Sequence, residues 1–137
     1  MADDPVKAAL AAARLRAIRL ALLALHKELI EAERVRYERT HGRIRTGQQA
    51  LRLVLQDPWF AWLRPLATLI VEMDERLDAD EPVHAAGVEG YAQQVRTLLS
   101  GELAGDGFRR EYHRMLQEVP AVVLAHGRLA KLLAADR

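Results

Sequence analysis

The sequence predicts an all-α protein, an antiparallel four-helix-type bundle whose second and fourth rods are broken by proline into four to six helical segments in total. Apolar residues recur every three or four positions along most of the chain, and Pro and Gly stand where these stretches end. No segment alternates apolar and polar residues for long enough to predict a strand. The chain has 137 residues, half of them hydrophobic, which suits a single domain over residues 1–137 with its own core.

The first rod is predicted from the capping residue Asp4 and from Pro5 at the first helical position to about residue 41, with Gly42 ending it. Its apolar stripe contains Leu15, Ile18, Leu22, Leu25, Leu29 and Ala32. At 1.5 Å per residue, such a helix is about 55 Å long. It is longer than its neighbours and alanine-rich over residues 8–13. Either a partner chain or other helices of the same chain must therefore cover its N-terminal part.

The second rod is predicted to start near Gly47, because Thr46 and Gln49 have the spacing of a capping box. Its inward residues are predicted to be Leu51, Val54 and Leu55. The rod breaks at residues 57–58, restarts, and continues to about residue 77, with Pro65 tolerated as a kink near the new start. The predicted stripe of the restarted helix contains Trp59, Trp62, Leu66, Leu69 or Ile70, Met73 and Leu77.

The third rod is predicted to open at Pro82, and the fourth at Asp106 acting as N-cap. The predicted apolar face of the third rod contains Tyr91, Val95, Leu98 and Leu99. Phe108, Tyr112, Met115, Leu116 and Val119 form that of the fourth. Pro120 should interrupt the fourth rod, and Val122, Ala125, Leu129 and Leu132 resume the helical spacing to about Ala134.

Charge is segregated along the chain although the formal net charge is only +1. Residues 1–56 carry a balance of +5, residues 57–106 a balance of −7, and residues 107–137 a balance of +3. Two interpretations are open. Adjacent helices can complement each other's surfaces, or a basic face can meet an acidic face of a second copy.

The composition excludes several classes of protein. The absence of cysteine excludes disulfides and thiolate-based metal or nucleophilic sites. The longest uninterrupted apolar runs, of which Leu20 to Leu25 is one, have six residues and are too short for a signal sequence or a membrane span. We therefore expect a cytoplasmic protein without a membrane partner.

Motifs for catalysis are sparse. Helical bundles that hold two metals use paired Glu-x-x-His motifs, and this chain has a single such spacing, Glu38 to His41. No two of its five histidines are spaced i, i+4, so chelation of one zinc ion by a helix is not predicted either. We expect no metal, no cofactor and no catalytic residues, and we favour a protein that is not an enzyme.

A candidate ligand site combines Glu33, Tyr37 and His41, which share one helix face, with Trp59, Trp62 and Arg64. An apolar wall beside a carboxylate, a phenol and a guanidinium would suit a small ligand. The alternative is that Glu33, Tyr37 and His41 form ordinary side-chain hydrogen bonds and pack the tyrosine ring.

The function predicted from these features is that of a non-enzymatic module acting through protein–protein contacts, most simply as a homodimer. The competing prediction is a small-ligand-binding or metal-binding bundle that uses the six candidate residues. A third class is a nucleic-acid-associated factor using the arginines between Arg34 and Arg52, although nearby carboxylates dilute that charge.

Overall fold

Six α-helices and one 3-10 helix make up the described part of the protein. The computed structural model describes residues 4–100 and 105–134, without the side chains of residues 105 and 106. The elements are α1 (Pro5–His41), α2 (Gly47–Gln56), a 3-10 helix (Pro58–Leu63), α3 (Arg64–Asp78), α4 (Ala85–Ser100), α5 (Gly105–Glu118) and α6 (Pro120–Ala134). These ranges contain no strand, and the all-α prediction is confirmed.

Helix ends follow the local signals in the sequence. The carboxylate of Asp4 accepts a hydrogen bond from the backbone N–H two residues on, at 2.9 Å, and α1 then runs unbroken to Gly42. Gly42 has φ +86°, a backbone conformation that residues with a side chain rarely adopt. Thr46 caps α2 through a 3.0 Å bond from the N–H three residues on, and Asp57 caps the 3-10 helix in the same manner as Asp4.

Two predicted helix starts are wrong. Helix α4 begins at Ala85 and not at Pro82, because its first turn closes on the carbonyl of His84. Helix α5 already includes residue 105, one position before the predicted N-cap residue Asp106.

The segment after Pro58 is a 3-10 helix, not the first turn of a longer α-helix. Arg64 donates its N–H to the carbonyl three residues back, and Pro65, which has no N–H, cannot continue the pattern. In a 3-10 helix, residues three apart lie in line. The line that faces the core is Phe60 and Leu63, at 1% and 2% exposure, whereas Trp59 and Trp62 are only half-buried. The predicted stripe is therefore wrong by one residue within the 3-10 helix, whereas its continuation in α3, Leu66, Leu69, Ile70 and Met73, is buried as predicted.

Helix α3 runs antiparallel to α1. Tyr37, near the end of α1, contacts Phe60 just before α3 begins, and Arg19 of α1 pairs with Asp74 near the end of α3. The 3-10 helix and α2 consequently lie near the C-terminal end of α1. The acidic end of α3 lies about 20 α1 residues away, roughly 30 Å at 1.5 Å per residue.

Helix α1 also packs against α6 and α4. Leu132 of α6 and Val88 of α4 line the same cavity as Ala11 of α1, so helices of the same chain reach the alanine-rich part of α1. At the other end, Arg114 of α5 pairs with Glu33. These pairings are those expected of a four-helix-type bundle in which α5 precedes α6 in the fourth rod.

The core is formed chiefly by one face of α1 and by the facing sides of α3, α4, α5 and α6. Helix α2 is the exception, since none of its ten residues is buried. Leu51 and Leu55, which were predicted to point inward, are 59% and 61% exposed. The prediction for these two residues is wrong because α2 packs on the 3-10 helix and leaves most of its apolar face uncovered.

Candidate functional site

An open groove of about 620 Å³ lies between α1, α2 and α3. Its apolar lining comes from all three helices and from the 3-10 helix, and includes Ile30, Leu51, Leu55, Phe60, Leu63 and Val71. The groove exists because α2 does not pack down onto α3. Leu51 and Leu55 of α2 therefore face an open space, whereas Leu53 and Val54 are half-buried against the core, as predicted for Val54.

Polar residues mark the two ends of this groove. Arg64 lies at the start of α3 and donates from Nη2 to the carbonyl of Leu55 at 3.2 Å, which ties the C-terminal end of α2 to α3. Glu72 and Glu75 lie two to three turns further along α3 and line the opposite end. His26 of α1 also lines the groove, and burial lowers its pKa. The groove is thus apolar along its length, cationic at one end and anionic at the other.

Glu33, a predicted site residue, lies in a buried ion-pair cluster. Its carboxylate accepts from Arg36 at 3.2 Å and from Arg114 at 3.0 Å, and the residue has no exposed surface. Both arginines also pair with Glu111 of α5. A carboxylate held in this way joins α1 to α5 and has two of its hydrogen-bonding positions occupied.

Tyr37, His41 and Trp59 do come together, as predicted. The Tyr37 and His41 rings are stacked at 4.2 Å, and Trp59 meets both edge-on at 5.6 and 5.2 Å. The guanidinium of Arg36 lies 4.8 Å from the centre of the Trp59 ring, a cation–π distance. This cluster fastens the 3-10 helix to the end of α1, and it presents rings that already contact one another.

Trp62 belongs to a different cluster. Its ring lies 5.6 Å from Phe108, which stacks on Tyr112. The Tyr112 hydroxyl and His126 Nδ1 are hydrogen-bonded at 2.6 Å. Burial raises the pKa of Tyr112 and lowers the pKa of His126, so both groups are held in their neutral forms. This cluster joins the 3-10 helix to α5 and α6.

The six predicted residues therefore have three different surroundings. Tyr37, His41 and Trp59 form one cluster, to which Glu33 is connected through Arg36. Trp62 contacts α5, and Arg64 lies in the groove. The groove itself was not predicted from the sequence. Its signal was the strongly one-sided apolar pattern of α2, which was interpreted as a core face.

No group of three or more His, Cys, Asp or Glu residues in residues 4–100 and 105–134 is arranged to hold a metal ion. Among these same residues, no helix combines the length and the apolar content needed to cross a membrane. Comparison with protein-family models, with curated protein sequences and with solved structures finds no match to this chain.

Proposed function

We propose that the protein is a non-enzymatic interaction module that binds a second copy of itself through the groove and the exposed side of α2. One observation carries this proposal: α2 is amphipathic but buries none of its residues. Leu51, Leu55 and Val71 are 59%, 61% and 52% exposed around one groove. A helix with an apolar face normally covers that face, and contiguous exposed apolar patches are typical of interaction sites.

The charges beside this face favour a second copy over an unrelated partner. The end of the groove nearest α2 is basic, and the end formed by the last turns of α3 is acidic. This agrees with the charge balances of residues 1–56 and 57–106 in the sequence. Such a surface can complement itself when two copies meet about a two-fold axis. We place this association in the cytoplasm.

The test is the oligomeric state of wild-type protein and of a variant carrying Leu51→Ser and Leu55→Ser. We expect a wild-type dimer at micromolar concentration by sedimentation equilibrium. The variant should raise the dimer dissociation constant by about 100-fold or more, because four apolar side chains leave the interface of each dimer. Its melting temperature as a monomer should change little, since these leucines are already exposed.

Leu124→Ser is the matched control. Leu124 is as exposed as the two groove leucines, at 63%, but lies on α6. It should leave the dimer intact. A wild-type monomer at high concentration and low salt would disprove self-association, and equal dissociation by Leu124→Ser would show that the α2 face is not the interface.

The size of the groove favours a second candidate, the binding of an apolar small molecule with an anionic group. A volume of about 620 Å³ lies within the usual range for ligand pockets, and Arg64 could receive the anion. Medium-chain fatty acids should then raise the melting temperature of the monomer. Arg64→Ala should reduce this effect, whereas Arg128→Ala, on the exposed side of α6, should not.

A further inference from the structure

A second cleft, of about 640 Å³, lies between α3 and α4 and adjoins the groove. Glu72 and Glu75 line both spaces, so they form the ridge between them. Glu81 lines the far part of the cleft, and all three carboxylates are exposed. Within the described residues, none of these three side chains forms an ion pair.

Two features keep this cleft open and anionic. Gly87 and Gly90 of α4 line it, and a Cβ atom at either position would meet nothing within 4 Å. Arg76 also lines the cleft, but its guanidinium donates to the carbonyls of Glu81 and Pro82. Its charge offsets only part of the charge of the three carboxylates.

A basic segment without any carboxylate connects the end of α1 to α2, whose Leu51 and Leu55 line the groove. Residues 39–52 contain four arginines and no Asp or Glu. Arg39, Arg43, Arg45 and Arg52 are exposed, and in the part of the chain that the structure describes their guanidinium groups form no ion pair. Some other cations of α1 are paired within the chain, as Arg19 is with Asp74. Exposed arginines without an ion pair thus stand beside and within α2, and exposed carboxylates stand at the α3 end of the groove.

We propose that the acidic cleft receives the basic segment of a second copy, across a two-fold axis that passes through the groove. This inference rests on the self-association proposed above. In this arrangement the two copies lie antiparallel, with the basic end of each against the acidic end of the other. Opposite charges at the two ends and an apolar middle make the face complementary to itself in this antiparallel register. Arg64 and Glu75 repeat the pattern inside the groove, about 16 Å apart along α3 at 1.5 Å per residue. A parallel register would instead bring like charges together, which opposes association.

Charge reversal gives a test with a distinctive outcome. One variant carries Glu72→Lys, Glu75→Lys and Glu81→Lys, and a second carries Arg43→Glu, Arg45→Glu and Arg52→Glu. Each variant alone has two like-charged ends and should remain monomeric at concentrations where the wild type is dimeric. A 1:1 mixture restores both opposite-charge contacts and should form only heterodimers, which native mass spectrometry identifies by mass.

The outcomes distinguish the charged antiparallel register from self-association itself. A monomeric wild type disproves self-association itself. A dimeric wild type with two reversed variants that each dimerise equally well disproves only the charged register. A mixture that stays monomeric, when both variants fold by circular dichroism, also overturns the register. All six substituted residues are exposed, so we expect each variant to fold. A melting curve of each variant tests that expectation.

Cysteine cross-linking gives an independent measurement of the register, on a chain with no native cysteine. We expect Arg45→Cys and Glu75→Cys proteins, when mixed and oxidised, to form a disulfide-linked heterodimer in preference to either homodimer. Arg128→Cys, on the exposed side of α6, replaces Arg45→Cys in the control and should give no enrichment of the heterodimer. Enrichment of linked Arg45→Cys homodimers would instead indicate the parallel register and contradict the proposal.

Discussion

Arg114 on α5 donates a 3.0 Å hydrogen bond to the carboxylate of Glu33 on α1, a side chain that is only 1% exposed. The two residues are 81 positions apart in the chain. Removal of one partner of a buried ion pair costs about 3–5 kcal/mol, because the other charge stays buried without full compensation. The pair therefore holds the C-terminal third of α1 against α5.

We predict that Arg114→Ala lowers the free energy of unfolding by about 3 kcal/mol. Adding Glu33→Gln should recover part of this loss, since a neutral amide is less costly to bury than a carboxylate whose one remaining cation is the more exposed Arg36. Urea denaturation of both variants measures the difference. The exposed Arg109 on the same helix provides a control, whose replacement by Ala should change stability by no more than about 0.5 kcal/mol. Strict additivity of the two substitutions would contradict the coupling.

The aromatic residues of the 3-10 helix should differ in their contribution to stability. Phe60→Ala should cost about 3–5 kcal/mol, because it empties a fully buried position. Trp59→Ala and Trp62→Ala should cost less, about 2 kcal/mol, since both rings are half-buried and each loses mainly its aromatic contacts. Thermal or chemical denaturation ranks the three. A larger loss of stability for Trp59→Ala than for Phe60→Ala would contradict the finding that Phe60, and not Trp59, faces the core.

Helix α2 should be the least protected helix of the monomer. It buries no residue, and segments with few buried contacts open at low free energy. We expect its amides to exchange with deuterium well before those of α1 and α3 in a dilute sample. Raising the protein concentration should slow exchange in α2 specifically if the groove is the dimer interface. Concentration-independent exchange in α2 would argue against that interface.

Stability should fall as the pH drops from about 7 towards 5. Burial lowers the pKa of both His26 and His126 in the folded state, so the unfolded chain, with histidine pKa near 6.5, binds protons first. The stabilisation is complete above the unfolded pKa and is lost as the pH falls towards the folded value. His126→Gln should flatten the dependence of melting temperature on pH, and an unchanged dependence in this variant would contradict the burial of a neutral His126.

Replacing glycine by alanine should change the stability in opposite directions in α4 and at Gly42. Gly87→Ala and Gly90→Ala should each raise the free energy of unfolding by about 0.5–1 kcal/mol, because both lie within α4 with open space at the Cβ position. Gly42→Ala should lower it by about 1–3 kcal/mol, because φ there is +86°. Denaturation curves of the three variants test this. Destabilisation by Gly87→Ala would show that the α3–α4 cleft is more crowded than the structure describes.

The sequence predicts those parts of the fold whose signals are local. Asp4 and Gly42 bound α1 correctly because capping depends on residues a few positions apart. The direction of the apolar face of α2 could not be obtained in this way. Whether Leu51 is covered depends on how far α2 stands from α3, and that distance is set by contacts of the 3-10 helix elsewhere.

The six candidate site residues have different surroundings for the same reason. Tyr37 and His41 meet because they are one helical turn apart on α1. Trp59 and Trp62 are also one turn apart, yet they contact α1 and α5 respectively. Sequence spacing fixes their places on one element, but the partners of each ring come from helices that are distant in the chain.

The pairing of α1 with α6 has a consequence for how the chain folds as it is made. Helix α1 is synthesised before α6, and its buried stripe from Leu15 to Leu29 is completed by residues as late as Leu129 and Leu133. Contacts over such sequence separations form slowly, since a long loop must close before they yield any stabilisation. Until α6 has left the ribosome, the part of the apolar side of α1 that α6 covers stays exposed, even after α3 and α4 have packed on the helix. Chaperones that bind exposed apolar helices should therefore be able to bind α1 before α6 is made.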